Sequence, residues 1–163
     1  MKAMEFDLYA HGVAIRGDEI LATYHDINAF GEHYGLPAVY IRPGEKIREA
    51  LELAMLELTG LYASVGRLLM AKEGLPEPYG SQYELPHLIG LAFECEIDSN
   101  ERPTITDFQS LIDGSITGSG WIKIDVFKQE LPRPSWHGTF YQQALRVALG
   151  EMQTDFYDGE SPK

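Results

Sequence analysis

Residues 36–61 read LPAVYIRPGEKIREALELAMLELTGL, and this stretch decides the fold. Ile47, Ala50, Leu51, Ala54, Met55 and Leu58 recur at three- and four-residue spacing, the signature of an amphipathic helix. Pro43-Gly44 precedes the run and Gly60 follows it, as a turn before a helix and a C-terminal glycine should. The spacing therefore predicts a helix over residues 45–59. Glu45 would lie in its first turn, where a negative charge favours the positive end of the helix dipole.

Before the helix, residues 6–15 and 20–24 alternate apolar and polar around Arg16-Gly17-Asp18, which predicts a hairpin. Residues 26–35 are polar with two glycines and read as a loop. Residues 36–41 read as a short strand, begun at an edge by Pro37. After the helix, 62–71 reads as a strand and 72–81, rich in Pro and Gly, as a loop.

Residues 87–97 alternate along the whole run. His87, Ile89, Leu91, Phe93, Cys95 and Ile97 form a face expected to meet a core, with His87 a satisfied core histidine. Leu88, Gly90, Ala92, Glu94 and Glu96 form the other, outer face. Residues 98–103 read as a turn and 104–119 as ambiguous, with weak helical spacing at 107–112. Residues 120–124 read as a strand, and 139–149 carry apolar residues at helical spacing. The expectation is one domain over residues 1–150 and an acidic, flexible tail over 151–163. Its architecture is α/β, a mixed sheet between the long helix and a C-terminal helix.

Composition narrows the function. Thirteen basic against 25 acidic side chains give a net charge of −12. Such a surface repels nucleic acid and anionic membranes, and no basic stripe offsets it. The N-terminus has charges where a signal peptide needs an apolar run, and no stretch has the length of a membrane helix. The single cysteine, Cys95, excludes an intrachain disulfide and reads as a buried, inert thiol. A cytoplasmic location fits these features. None of the five histidines has a partner at metal-ligand spacing. There is no P-loop, dinucleotide fingerprint or nucleophile elbow.

Residues 36–61 resemble the signature segment of the Nudix (MutT-like) superfamily. That pattern runs Leu-Pro-Gly-Gly-x-x-x-x-Gly-Glu, then a helix ending Arg-Glu-x-x-Glu-Glu-Thr-Gly-Leu. Leu36, Pro37, Gly44, Glu45, Ala50, Glu57, Thr59, Gly60 and Leu61 match without a gap. Trp121-Ile122-Lys123-Ile124-Asp125 resembles the Trp-Val-x-Leu-Asp strand of many members. The resemblance implies a Nudix α/β/α sandwich. It also implies cleavage of nucleoside diphosphates linked to another moiety, with Mg²⁺ or Mn²⁺ and three helix glutamates.

Here those three positions are Ala54, Glu57 and Leu58, and the helix arginine is Leu53. The glycine pair is Ala38-Val39, and Gly118-Ser119-Gly120 stands where a further glutamate often precedes the Trp strand. Carboxylates at i, i+3 and i+4 share a helix face and converge on one hard cation; one carboxylate does not make that cluster. Glu57 is thus the candidate catalytic residue, and Glu57 with Glu45 the candidate metal ligands. Glu94 and Glu96 are alternative carboxylates. Glu49 and Glu52 read as solvent-facing. Arg42, His33 and Tyr83 are candidate substrate-binding residues, Arg42 for phosphate.

The favoured expectation is a divergent protein of this fold that binds a phosphate-containing small molecule with weak or absent hydrolysis. In that case no metal is needed. An active Mg²⁺- or Mn²⁺-dependent hydrolase using displaced carboxylates is the second reading. A non-enzymatic interaction module is the third. A homodimer is the default expected for such folds.

Overall fold

In a computed structural model, residues 7–27, 31–74, 87–98, 116–129 and 136–157 are described. The strands divide over two sheets. The first has five strands, in the order β5 (Ala38–Tyr40), β1 (Asp7–Val13), β7 (Leu88–Ile97), β6 (Ala63–Gly74), β9 (Phe156–Tyr157). It is mixed, since β1 runs parallel to β7 and antiparallel to β5, while β6 is antiparallel to β7. The second centres on β3 (Glu19–Ile27), which pairs with β2 (Ile15–Arg16), β4 (Gly31–Gly35) and β8 (Ile116–Lys123).

Two cores lie on opposite sides of these strands. Helix α1 (Ile47–Thr59) puts Leu51 and Met55 against Ala10, Leu21, Phe93 and Cys95. Helix α3 (Trp136–Ala148) puts Phe140, Ala144 and Val147 among Val13, Ile20, Met70 and Ala92. Neighbours Ile20 and Leu21 enter different cores, as successive strand residues must when both faces are covered. This is the expected α/β/α sandwich, with its middle layer divided in two.

Two-sided burial corrects the reading of β7. Leu88, Gly90 and Ala92, taken as an outer face, are buried. Leu88 and Ala92 lie in the core that α3 covers, and only Glu94 and Glu96 of that face are exposed. His87 is partly buried and its Nε2 is hydrogen-bonded to the Glu73 carboxylate at 2.8 Å, a polar contact at the strand end rather than a core contact.

Other boundaries moved where long-range pairing overrode local composition. Residues 31–35, read as loop, form β4, and Tyr24 meets Tyr34 edge-on at 5.4 Å between ring centroids. β6 continues through Lys72, Glu73 and Gly74 because β7 supplies a ladder as far as Leu88. A short helix, α2 (Ile124–Gln129), follows β8 and buries Phe127; its six residues were too few for periodicity to reveal. The stretch read as a frayed tail is docked as far as Tyr157, β9 lying parallel to β6 at Ala71 and Lys72. The helical spacing noted at 107–112 lies outside the described residues.

Lys72 is the unexpected member of the α3 core. It is 1% exposed, and its ammonium donates to Gln143 Oε1 at 3.0 Å. That amide is its partner among the described residues, so no opposite charge offsets the burial. Burial pulls the amine down from 10.5 to about 8. A lowered lysine destabilises the fold while the ammonium is held, and the penalty fades as pH rises from the folded value to the unfolded one. Relative to a Lys72→Met variant, the unfolding free energy of the wild type should rise by roughly 3 kcal/mol between pH 8 and 10.5. Urea titrations across that range measure it, and parallel curves for the two proteins would refute it.

Candidate functional site

The signature segment keeps its shape by hydrogen bonds that need no metal. Residues 42–45 form a tight turn in which Glu45 N–H donates to the Arg42 carbonyl at 3.1 Å. The Glu45 carboxylate accepts the Arg42 N–H at 2.7 Å. Gly44 takes φ 89°, the left-handed region such a turn requires. Glu45 therefore lies before the helix rather than in its first turn, where Glu49 is the acidic residue. At the other end Gly60 adopts φ 73° and donates to the Leu56 carbonyl. Thr59 Oγ1 donates to the Met55 carbonyl at 2.6 Å and accepts the Leu61 N–H at 3.2 Å.

The three metal-ligand positions of the resemblance fare differently. Ala54 is 7% exposed, Leu58 is partly buried and Glu57 is exposed. Ser119 stands in the run where the further glutamate would lie. Its hydroxyl donates to the Leu58 carbonyl at 2.7 Å, tying β8 to the end of α1. Glu45 and Glu57 do not converge. Ten helical steps from Ile47 to Glu57 give about 15 Å of rise, too far for two glutamates to share an ion. No group of three His, Cys, Asp or Glu side chains suited to a metal exists among the described residues. This donor set does not fit the Mg²⁺ or Mn²⁺ cluster that the fold suggests.

Other polar residues of α1 serve the sheet. The Glu52 carboxylate accepts the Val65 N–H at 3.2 Å, which corrects its reading as a solvent-facing residue. Arg48 donates to the carbonyls of Val65 and Gly66 and lies 5.1 Å from the centroid of the Phe93 ring. These groups sit where the β6–β7 register shifts, between Val65 and Leu68, and a bulge leaves backbone groups without ladder partners. The i, i+4 spacing of Arg48 and Glu52 was the sequence signal that both reach one place.

A cleft of about 510 Å³ opens elsewhere, between the ends of the two sheets. Residues 13–16 form one side, with Trp121, and residues 64–66 and 94–97 form the other. Ala148 and Leu149 close it at the end of α3. Glu94 and Glu96 line this cleft, whereas Arg42, Glu45, Ala54, Glu57 and Leu58 do not. The alternative carboxylates are thus assembled away from the surviving signature glutamate. Glu94 is held 3.4 Å from Arg67, and Glu96 is exposed. Cys95 is buried and its thiol is pushed up to about 12, first by burial, so it is not a nucleophile.

Across the cleft, the Arg16 guanidinium lies 4.3 Å from the centroid of the Trp121 ring and 3.4 Å from Glu19. Trp121 Nε1 is the only buried side-chain nitrogen or oxygen without a hydrogen-bond partner among the described residues. An orphaned buried donor costs about 1–3 kcal/mol. Sequence reasoning missed this pair because Arg16 was read as part of a turn and Trp121 only as a strand residue. Of the other candidates, Arg42 is exposed on its turn, and His33 lies on β4 opposite His25 with its side chain outside the described set. Tyr83 lies outside the described residues.

Solved structures carry the same architecture. The chain superposes on a NUDIX hydrolase from Nitrosomonas europaea with a TM-score of 0.68 at 16% identity, covering 92% of this chain and 93% of that one. A structure described as a possible asymmetric diadenosine tetraphosphate hydrolase, from Jonesia denitrificans, gives 0.66 at 15%, covering 93% and 99%. A UDP-X diphosphatase gives 0.65 at 15%, covering 96% of this chain and 69% of that one. The fold is therefore the Nudix fold. No family model matches the sequence, and comparison with curated proteins gave no match. No described helix is long and apolar enough to cross a membrane.

Placing a glutamate at a ligand position of the resemblance tests how tightly that position is packed. Ala54→Glu places a carboxylate in a buried methyl's space and should cost about 1–3 kcal/mol or more. Glu45→Ala removes the acceptor of the Arg42 N–H and should cost about 1 kcal/mol, by analogy with a lost helix cap. Urea denaturation measures both. An Ala54→Glu protein as stable as wild type would mean that this position is open to solvent.

Proposed function

We propose that this chain is a divergent member of the Nudix superfamily. It binds a nucleoside-diphosphate-linked or other phosphate-containing small molecule and hydrolyses it weakly or not at all. The observation that carries this reading is the state of the three ligand positions. Glu57 alone is a carboxylate, Ala54 is buried, and the Leu58 carbonyl is tied to Ser119.

Nudix chemistry places a water and a phosphorus atom around hard cations, which offset the pyrophosphate charge and activate the water. A single exposed glutamate lacks the charge and the convergence to hold such a cluster. Binding needs less. The turn presents Arg42, whose guanidinium suits a phosphate fork. The names of the similar structures supply the ligand class, since they include enzymes named for UDP-X and diadenosine tetraphosphate.

The test has two arms. With Mg²⁺ or Mn²⁺, the purified chain should cleave ADP-ribose, UDP-glucose and diadenosine tetraphosphate no faster than its Glu57→Ala variant. Metal-dependent turnover lost in that variant would overturn weak or absent hydrolysis and reinstate an active enzyme. Without turnover, a nucleotide at about 100 times its dissociation constant should add about 2.7 kcal/mol of stability. Absence of any thermal shift across the panel would leave a non-enzymatic interaction module.

A further inference from the structure

None of Arg42, Glu45, Ala54, Glu57 or Leu58 lines the cleft between the sheet ends, and its two walls differ in charge. The wall from the second sheet offers donors. Arg16 on β2 carries five N–H groups in a fork, and its loose contact with Glu19 leaves several of them open to a ligand. Beside it the Trp121 ring on β8 lines the same wall, with its indole N–H buried and closed to the cleft. The stacking of Arg16 on Trp121 fixes the guanidinium before any ligand arrives.

The wall from the first sheet offers acceptors. Glu94 and Glu96 are two residues apart on β7 and therefore share a face, with about 7 Å between them. Arg67 engages Glu94, while Glu96 has no partner among the described residues. Between these walls the lining is apolar, with Val13, Ile15 and Leu149 among its members. A cleft of about 510 Å³ lies within the range of small-molecule sites.

We propose that this cleft is a binding site for a small zwitterion of the α-amino-acid class. The ligand carboxylate lies on the Arg16 fork, its ammonium on Glu96, and an apolar side chain against Leu149. The complementarity is specific: a bare anion meets the two carboxylates, and a bare cation meets Arg16. A nucleotide has no ammonium for Glu96 and brings excess negative charge to it. Nothing in this assignment depends on the phosphate-ligand reading, whose site lies around α1 and the Arg42 turn.

The experiment is titration of the full chain with α-amino acids from glycine to L-tryptophan, followed by calorimetry. Intrinsic fluorescence, to which Trp121 and Trp136 both contribute, gives a second readout for the non-aromatic members. L-leucine is expected to bind. Its methyl ester, which lacks the negative charge, and N-acetyl-L-leucine, which lacks the positive one, should each bind at least tenfold more weakly. Glu96→Gln and Arg16→Met should each weaken L-leucine at least tenfold, while Glu57→Ala leaves it unchanged. Glu96 is exposed, so Glu96→Gln remains a fair test if Arg16→Met fails to fold. Equal binding of the ester or the acetylated form would overturn the proposal. So would no amino acid binding up to millimolar concentrations, or wild-type binding by Glu96→Gln.

Discussion

Helix α1 is fixed to the sheet by its apolar stripe and, as firmly, by hydrogen bonds to backbone groups at both ends and along one side. The Arg42–Glu45 turn sets where the helix begins. Thr59 and Gly60 close its last turn. Arg48 and Glu52 reach the bulged start of β6, and Ser119 reaches the Leu58 carbonyl from β8. One helix thereby joins two sheets that no strand pairing connects among the described residues. The position of β8 and the opening of the cleft at the sheet ends follow from that attachment.

This attachment holds residues 36–61 in shape by hydrogen bonds that need no metal. In a catalytic cluster, the closeness of like charges is balanced by the metal. Ala54 and Leu58 carry no charge, so α1 has no such cluster to balance. Ala54 packs into a dry position, and the helix end is held by neutral hydrogen bonds instead.

The opposite side of the sandwich is built on a different compromise. α3 covers a face of the first sheet that includes the buried polar residues His11 and Lys72, and α3 itself buries Gln143. The His11 ring packs edge-on against Phe140 at 4.7 Å, and Tyr141 is raised in pKa by burial. Lys72 can be enclosed because Gly90 stands opposite it and leaves room, and because Gln143 supplies an acceptor. An amide cannot match a carboxylate as partner to an ammonium, so this part of the core is pH-sensitive. α3 also ends at the cleft, where Ala148 and Leu149 form its lip.

The sequence by itself determined helix α1, the turn and glycine that bound it, the alternation of β7, and the apolar character of positions 54 and 58. These are local patterns, periodic within one element or fixed by Pro and Gly. Tertiary structure decided what pairing partners decide. Residues 31–35 became β4 because β3 offered an edge, and Lys72 stayed in a strand because β7 continued beside it. Glu45 became a turn acceptor, because its own backbone stops short of the helix. Glu94 and Glu96 were legible as an outward pair, but not the Arg16–Trp121 stack facing them, since those residues are distant in sequence. A cleft between two sheets has no sequence periodicity, and its chemistry appears only when separate strands are brought together.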